Sequence, residues 1–361
     1  MREATRDAPC RRHPRGSGDG DVAACRALLR HGSRTFYAAS YLLPRSVRDP
    51  ATALYAFCRL ADDAVDETGA GPEALADLTH RLQRAYAGQP MPDAADRAFA
   101  RVVRDHAIPV LLPGALLEGF RWDAEGRRYE TLEDLQDYAA RVAGTVGTMM
   151  AMLMGVRCRS QLARAADLGV AMQLSNIARD VGEDARAGRL YLPLSWLREA
   201  GIRPDEWLAA PVHTPALGSV VARLLREADL LYGRAEAGIS RLPRACRPGI
   251  HTARLLYAAI GDQVRRRRLD SVSGRAVVPA ARKAALLARG MASAVMPPIE
   301  NTAPPLAATA FLVEAAAAAP RPVSSPAGLS GWAHWLLDLF EQLERRERSA
   351  ALAATLALPE D

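Results

Sequence analysis

The chain has 361 residues, 49% of them hydrophobic, 24% charged and only 6% aromatic, and its abundance of Ala, Leu and Arg argues for helix and against an all-β sandwich or barrel. A net charge of +6 is too weak to indicate a nucleic-acid partner, and five cysteines with no C-x-x-C pair suit neither a disulfide framework nor a structural zinc site. That cysteine pattern makes a reducing cytoplasm the expectation, and because no window reaches the roughly 18 to 20 apolar residues of a membrane span, any membrane contact should be peripheral.

Met1 to Asp21 is rich in Arg, Asp, Gly and Pro, lacks the apolar stretch of a signal peptide, and is expected to be a disordered leader. From Val22 onward apolar residues recur at three and four positions, the period of amphipathic helices. Pro44 and Pro50 bracket a turn before a helix predicted over 51–67, which Gly69 to Pro72 ends; Gly88 to Pro92 then separates two shorter helices. The spacing predicts a longer pair at 134–155 and 161–184, then helices around 220–239 and 248–268. Residues 297–329, rich in Pro, Ala and Ser, read as a loose connection to an amphipathic helix at 332–356. The predicted organisation is a leader (1–21), one large all-α domain (22–296), a connection (297–329) and a C-terminal helix and tail (330–361).

The chemistry-bearing residues fall on two of these helices. Asp62 and Asp66 are four residues apart, so their carboxylates emerge on one helix face; about 6 Å apart at an effective dielectric of about 20 they repel by roughly 3 kcal/mol, which favours a cation between them. One such pair is more often a solvated face. The second helix changes the balance, because Gln173, Asn176, Asp180 and Asp184 follow at intervals of three, four and four, between Leu168, Val170, Met172, Leu174, Ile177 and Val181. That stripe is expected to be buried. Oxygen-rich sites of this kind suit Mg²⁺, which keeps several waters and bridges to phosphates. Arg59 and Arg179, three before and one before acidic members, read as diphosphate clamps, against the alternative of surface ion pairs. This pattern suits ionisation of an allylic diphosphate, whose leaving group needs cationic neutralisation. The apolar helix with Val142, Gly144, Val146, Gly147 and four methionines is suited to lining a hydrocarbon tunnel, although on its own ordinary packing is the stronger reading.

Ser33-Arg34-Thr35-Phe36-Tyr37, the run from Tyr55 to Glu67, Val142 to Gly147, and Asn176 to Asp184 continuing to Gly188-Arg189-Leu190-Tyr191-Leu192-Pro193 are similar to the squalene and phytoene synthase family in its bacterial form, from about Cys25 to Gly290. The resemblance implies a single all-α isoprenoid-synthase domain with a central cavity. It implies condensation of two geranylgeranyl diphosphates through prephytoene diphosphate to phytoene, dependent on Mg²⁺ (or Mn²⁺). No NADPH is implied, and no G-x-G-x-x-G fingerprint is present. Asp62, Asp66, Asn176, Asp180 and Asp184 match its metal-binding positions. Ser33, Arg59, Gln173 and Arg179 match positions around the diphosphates; Tyr138 matches a cavity tyrosine, and Tyr191 is a further polar contact. Val146 and Gly147 fall in its cavity-wall motif, and Tyr257 and Arg275 resemble a late cavity tyrosine and arginine. Ser175 and Arg34 depart from its commoner Thr and Lys.

The insoluble product fits peripheral membrane contact and a functional link to phytoene desaturase, and the basic run Arg265 to Arg268 reads either as a solvated helix end or as a contact for anionic lipid. The alternatives are a squalene, dehydrosqualene or hydroxysqualene synthase acting on farnesyl diphosphate, a terpene cyclase or head-to-tail prenyltransferase, and a catalytically silent helical assembly factor. None of the seven histidines stands at metal-ligand spacing from another His or Cys.

Overall fold

The computed structural model describes residues 17–32, 42–66, 72–293 and 297–321, all of them helices and their connections. In chain order the helices are α1 (Ser17–Gly32), α2 (Arg45–Asp66), α3 (Pro72–Tyr86), α4 (Ala94–Asp105), α5 (Leu111–Ala124) and α6 (Leu132–Ala139). A π-helical turn (Ala140–Gly144) joins α6 to α7 (Thr145–Leu153), which is followed by α8 (Arg159–Arg186), α9 (Leu194–Glu199) and α10 (Pro204–Ala209). The chain then forms α11 (Pro215–Ile239), α12 (Arg247–Arg266), α13 (Ala280–Ala292), a 3₁₀ turn (Ala307–Thr309) and α14 (Ala310–Ala318).

Local chemistry sets the boundaries. Asp93 caps α4 by accepting from the Ala95 amide, Thr131 and Asp134 form a capping box on α6, and Thr214 with Pro215 starts α11. Pro50 does not end a turn, as expected, but lies inside α2; the helix already begins at Arg45, where Pro44 accepts from the Val47 and Arg48 amides. The single helix predicted over 134–155 is interrupted by the π turn, where one extra residue per turn swings the following face.

α8 is the axis of the molecule: α11 packs along it, and α7, the π turn, α12 and α14 pack around it. One continuous core runs from Cys25 on α1 to Ala316 on α14. Gly147 and Gly169 bring α7 and the π turn into backbone contact with α8, since a Cβ at Gly147 would lie 2.3 Å from the Ala165 carbonyl oxygen and one at Gly169 would lie 2.2 Å from that of Ala143.

Both predicted margins of the domain are revised. The expected leader reaches only to residue 16 at most, because Asp21 is buried and its carboxylate pairs with Arg97 at 2.5 Å and Arg101 at 2.7 Å on α4. The expected loose connection is docked from residue 297 as far as Ala319. Arg164 donates to Asn301 Oδ1 at 2.8 Å and to the Ala303 carbonyl at 3.0 Å, Arg234 donates to the Pro304 carbonyl at 2.6 Å, and Leu312, Val313 and Ala316 then enter the core. Composition misled here because short alanine-rich helices are held by packing that periodicity does not record. The predicted helix over 332–356 lies outside the described residues. Among the described residues no helix is long and apolar enough to cross a membrane.

Candidate functional site

α8 carries the polar stripe at the predicted spacing, and Leu174, Ile177, Ala178 and Val181 on either side of it are buried. Gln173, Asn176, Asp180 and Asp184 are half-buried on it. Asn176 Oδ1 is inaccessible to solvent and has no hydrogen-bond partner, a costly arrangement unless something outside the protein satisfies it. Burial, reinforced by Asp180, pushes Asp184 up to about 7.

Asp180 is covered by two guanidiniums. Arg179 donates to it from Nε at 2.7 Å and Nη2 at 2.5 Å, and Arg275 Nε approaches at 3.0 Å while its Nη1 lies 3.4 Å from Glu183. Arg275 reaches this point on a loop locked to α8. The Gly182 amide donates to the Ser271 carbonyl at 3.0 Å, Ser271 Oγ donates to the Ala178 carbonyl at 2.6 Å, and a Cβ at Gly182 would stand 2.4 Å from the Val272 carbonyl oxygen. The glycine inside the second acidic motif is therefore required by the loop that delivers the arginine. Tyr257 on α12 is half-buried near Arg179, and burial pushes its hydroxyl up.

Near Asp184 three tyrosines gather. Tyr138 and Tyr191 stack with ring centroids 5.2 Å apart, Tyr129 lies 5.2 Å from Tyr138, and both Tyr138 and Tyr191 donate to Asp123, at 2.9 and 2.7 Å. Burial and then the Asp123 charge push both hydroxyls above the ordinary phenol range, so they stay protonated. Tyr191, Arg189, Asp184, Ile177 and Val181 line a common cleft. Sequence reasoning missed Asp123: it lies in the last turn of α5 beside Trp122 without a motif, and only the tyrosines it binds mark it out.

Arg59 is half-buried on α2, three residues before Asp62, and Asp62 and Asp66 lie in the last turns of the same helix; their side chains, like all of Ser33, fall outside the described residues. α2 packs against α7, which packs along α8. The side-chain direction of Gly147 is filled by α8, so the glycine is what lets α7 approach that helix closely; Val146 beside it is half-buried against the core. The basic run is a helix end: Arg266, Arg267 and Arg268 are exposed, and Arg265 pairs with Asp229.

The residues present fit a divalent cation. The donors on α8 are all oxygens, the unpartnered Asn176 Oδ1 lies among them, and a cation would relieve the charge repulsion felt at Asp184. Among the described residues no three His, Cys, Asp or Glu side chains could hold an ion by themselves, so α8 supplies only part of a donor set.

A family model described as squalene/phytoene synthase matches residues 29–282. The chain belongs to that family. It is 52% identical over 307 residues to a phytoene synthase of Rhodobacter capsulatus, covering 83% of this chain and 91% of the relative. It is 48% identical over 343 residues to a phytoene synthase of Cereibacter sphaeroides, covering 91% and 95%. Among solved structures, a dehydrosqualene synthase in complex with a ligand is 30% identical with a TM-score of 0.71, covering 78% of this chain and 98% of that one. A squalene synthase from Alicyclobacillus acidocaldarius gives 28% and 0.64, covering 69% and 95%. The architecture is the isoprenoid-synthase helical fold.

Proposed function

We propose that the chain is a phytoene synthase, a prenyltransferase that joins two geranylgeranyl diphosphates head to head, with Mg²⁺ (or Mn²⁺) bound and without NADPH. The observation that carries this reading is the ladder Asn176, Asp180, Asp184, with an unsatisfied buried oxygen at one end and two guanidiniums over its centre. The names of the relatives at 48 and 52% identity support the twenty-carbon substrate.

Asp62, Asp66, Asn176, Asp180 and Asp184 would hold the metal, which when bound neutralises charge on the departing diphosphate. Arg179 and Arg275, now engaged with Asp180, are placed to exchange that carboxylate for diphosphate oxygens, a bidentate contact suited to guanidinium, and Arg59, Gln173 and Ser33 complete the contacts. The allylic C–O bond breaks with its electron pair on the leaving diphosphate. The double bond of the second substrate attacks the freed carbon, and loss of a proton closes a cyclopropane. That product loses its own diphosphate, rearranges, and sheds a second proton where a reductive enzyme would take a hydride. Met149 and Met152, both fully buried on α7, belong to the apolar shell that excludes water from the cations. Peripheral membrane contact and a link to phytoene desaturase complete the proposal, supported by the insolubility of a forty-carbon hydrocarbon.

Purified protein with Mg²⁺ and geranylgeranyl diphosphate, and no reductant, is expected to release pyrophosphate and a forty-carbon hydrocarbon; turnover confined to farnesyl diphosphate would overturn the chain length.

A further inference from the structure

We infer that Asp123 is a positioning residue for this reaction, holding Tyr138 and Tyr191 as a paired, electron-rich wall for the carbocation; the inference rests on the prenyl-transfer reading above. Asp123 lies in the last turn of α5, a helix that contributes to neither acidic motif. Its two carboxylate oxygens each accept one phenol proton, Oδ2 from Tyr138 at 2.9 Å and Oδ1 from Tyr191 at 2.7 Å. The two tyrosines come from separate elements, α6 and the segment after α8, and one carboxylate binds both hydroxyls.

Two physical consequences follow from that geometry. With both protons committed to Asp123, the phenol oxygens turn lone pairs and not protons towards the rest of the site. A charge-assisted hydrogen bond also shifts electron density from O–H into each ring, strengthening the negative face that attracts a cation. The rings stack 23° from parallel, with Tyr129 packed against both, so neither can turn without disturbing the other. Tyr191 lines the cleft that Asp184 also lines, which puts this fixed dipole array beside the place where the diphosphate departs. Charge that needs no reorganisation at the moment of reaction acts on the transition state more than on substrate binding.

The test is steady-state turnover of geranylgeranyl diphosphate by the full chain with Mg²⁺. Asp123→Asn keeps the shape but replaces one acceptor with a donor. It is expected to leave KM within about threefold and to lower kcat about tenfold or more. In a Tyr138→Phe/Tyr191→Phe background, where no hydroxyl is left to hold, the same substitution should cost less than about threefold. An unchanged kcat in Asp123→Asn, or an equal fold-loss in both backgrounds, would overturn the inference. Should thermal melting show that Asp123→Asn does not fold, the Tyr138→Phe/Tyr191→Phe chain decides alone, and wild-type kcat there refutes the role. If the wild-type chain turns over only farnesyl diphosphate, the substrate reading fails while the same comparison, run on that substrate, still judges Asp123.

Discussion

At Asp180 one carboxylate serves two guanidiniums, one from its own helix and one from a loop 95 residues later. Such a cluster is built to be rearranged: it is half-buried, and its charges are satisfied before any ligand arrives. Asp180→Asn is therefore expected to lower pyrophosphate release at least about a hundredfold while thermal melting moves by only a few degrees, because the group serves the reaction more than the packing. His251 shows the opposite allocation. It is buried on α12, its Nδ1 has no partner, and burial holds its imidazole below its ordinary value of 6.5 even though Glu236 stands 3.7 Å away. The folded chain thus refuses a proton that the unfolded chain accepts, so this contribution to stability is complete above about pH 6.5 and is lost as pH falls towards the folded value. Urea unfolding between about pH 7 and 5 should show His251→Gln losing less stability on acidification than the wild type; identical slopes would contradict this origin.

Among the elements, glycines decide how helices meet. Gly147, Gly169 and Gly182 each face a carbonyl oxygen closer than any Cβ tolerates, the first two sealing α7 and the π turn onto α8 and the third admitting the Arg275 loop. Gly147→Ala should cost about 1 to 3 kcal/mol through forced separation of α7 and α8, read as a lower urea midpoint, even though alanine has the higher helix propensity. A stability gain in that variant would show that the helices part at no cost. The small residues of this stretch suited a tunnel wall but read more strongly as ordinary packing, and the carbonyl oxygens that stand opposite Gly147 and Gly169 show close packing there.

At the scale of the whole molecule, the segment that begins at residue 297 is tied to the helical body at 301–304 by buried charge. Arg164 is 2% exposed, Asp167 0%, and Arg164 Nε and Arg234 Nε approach the same oxygen of Asp167 at 2.8 and 2.9 Å, while both arginines reach out to 301–304. Removing one partner strands a charge in the interior. Arg164→Met is expected to destabilise by about 3 kcal/mol or more and to open 297–306 to limited proteolysis, and wild-type resistance would refute the strap.

The amino-acid sequence by itself determined the all-α class, most helix positions, and the carboxylate and amide ladder on α8, because each depends on spacing along one helix, which is a local quantity. The family resemblance also lay in contiguous motifs, and the matched span of 29–282 fell within the expected one. Only the tertiary structure decided that Asp21 and residues 297–319 belong to the body, that Gly147 sits where α7 and α8 meet most closely, that Arg275 meets Asp180, and that Asp123 gathers Tyr138 and Tyr191. Each of these rests on groups far apart in the chain, brought together by which helix faces share the core. Two carboxylates on adjacent turns announce themselves in any sequence, whereas a carboxylate awaiting two distant phenols is an ordinary surface aspartate until the fold is known.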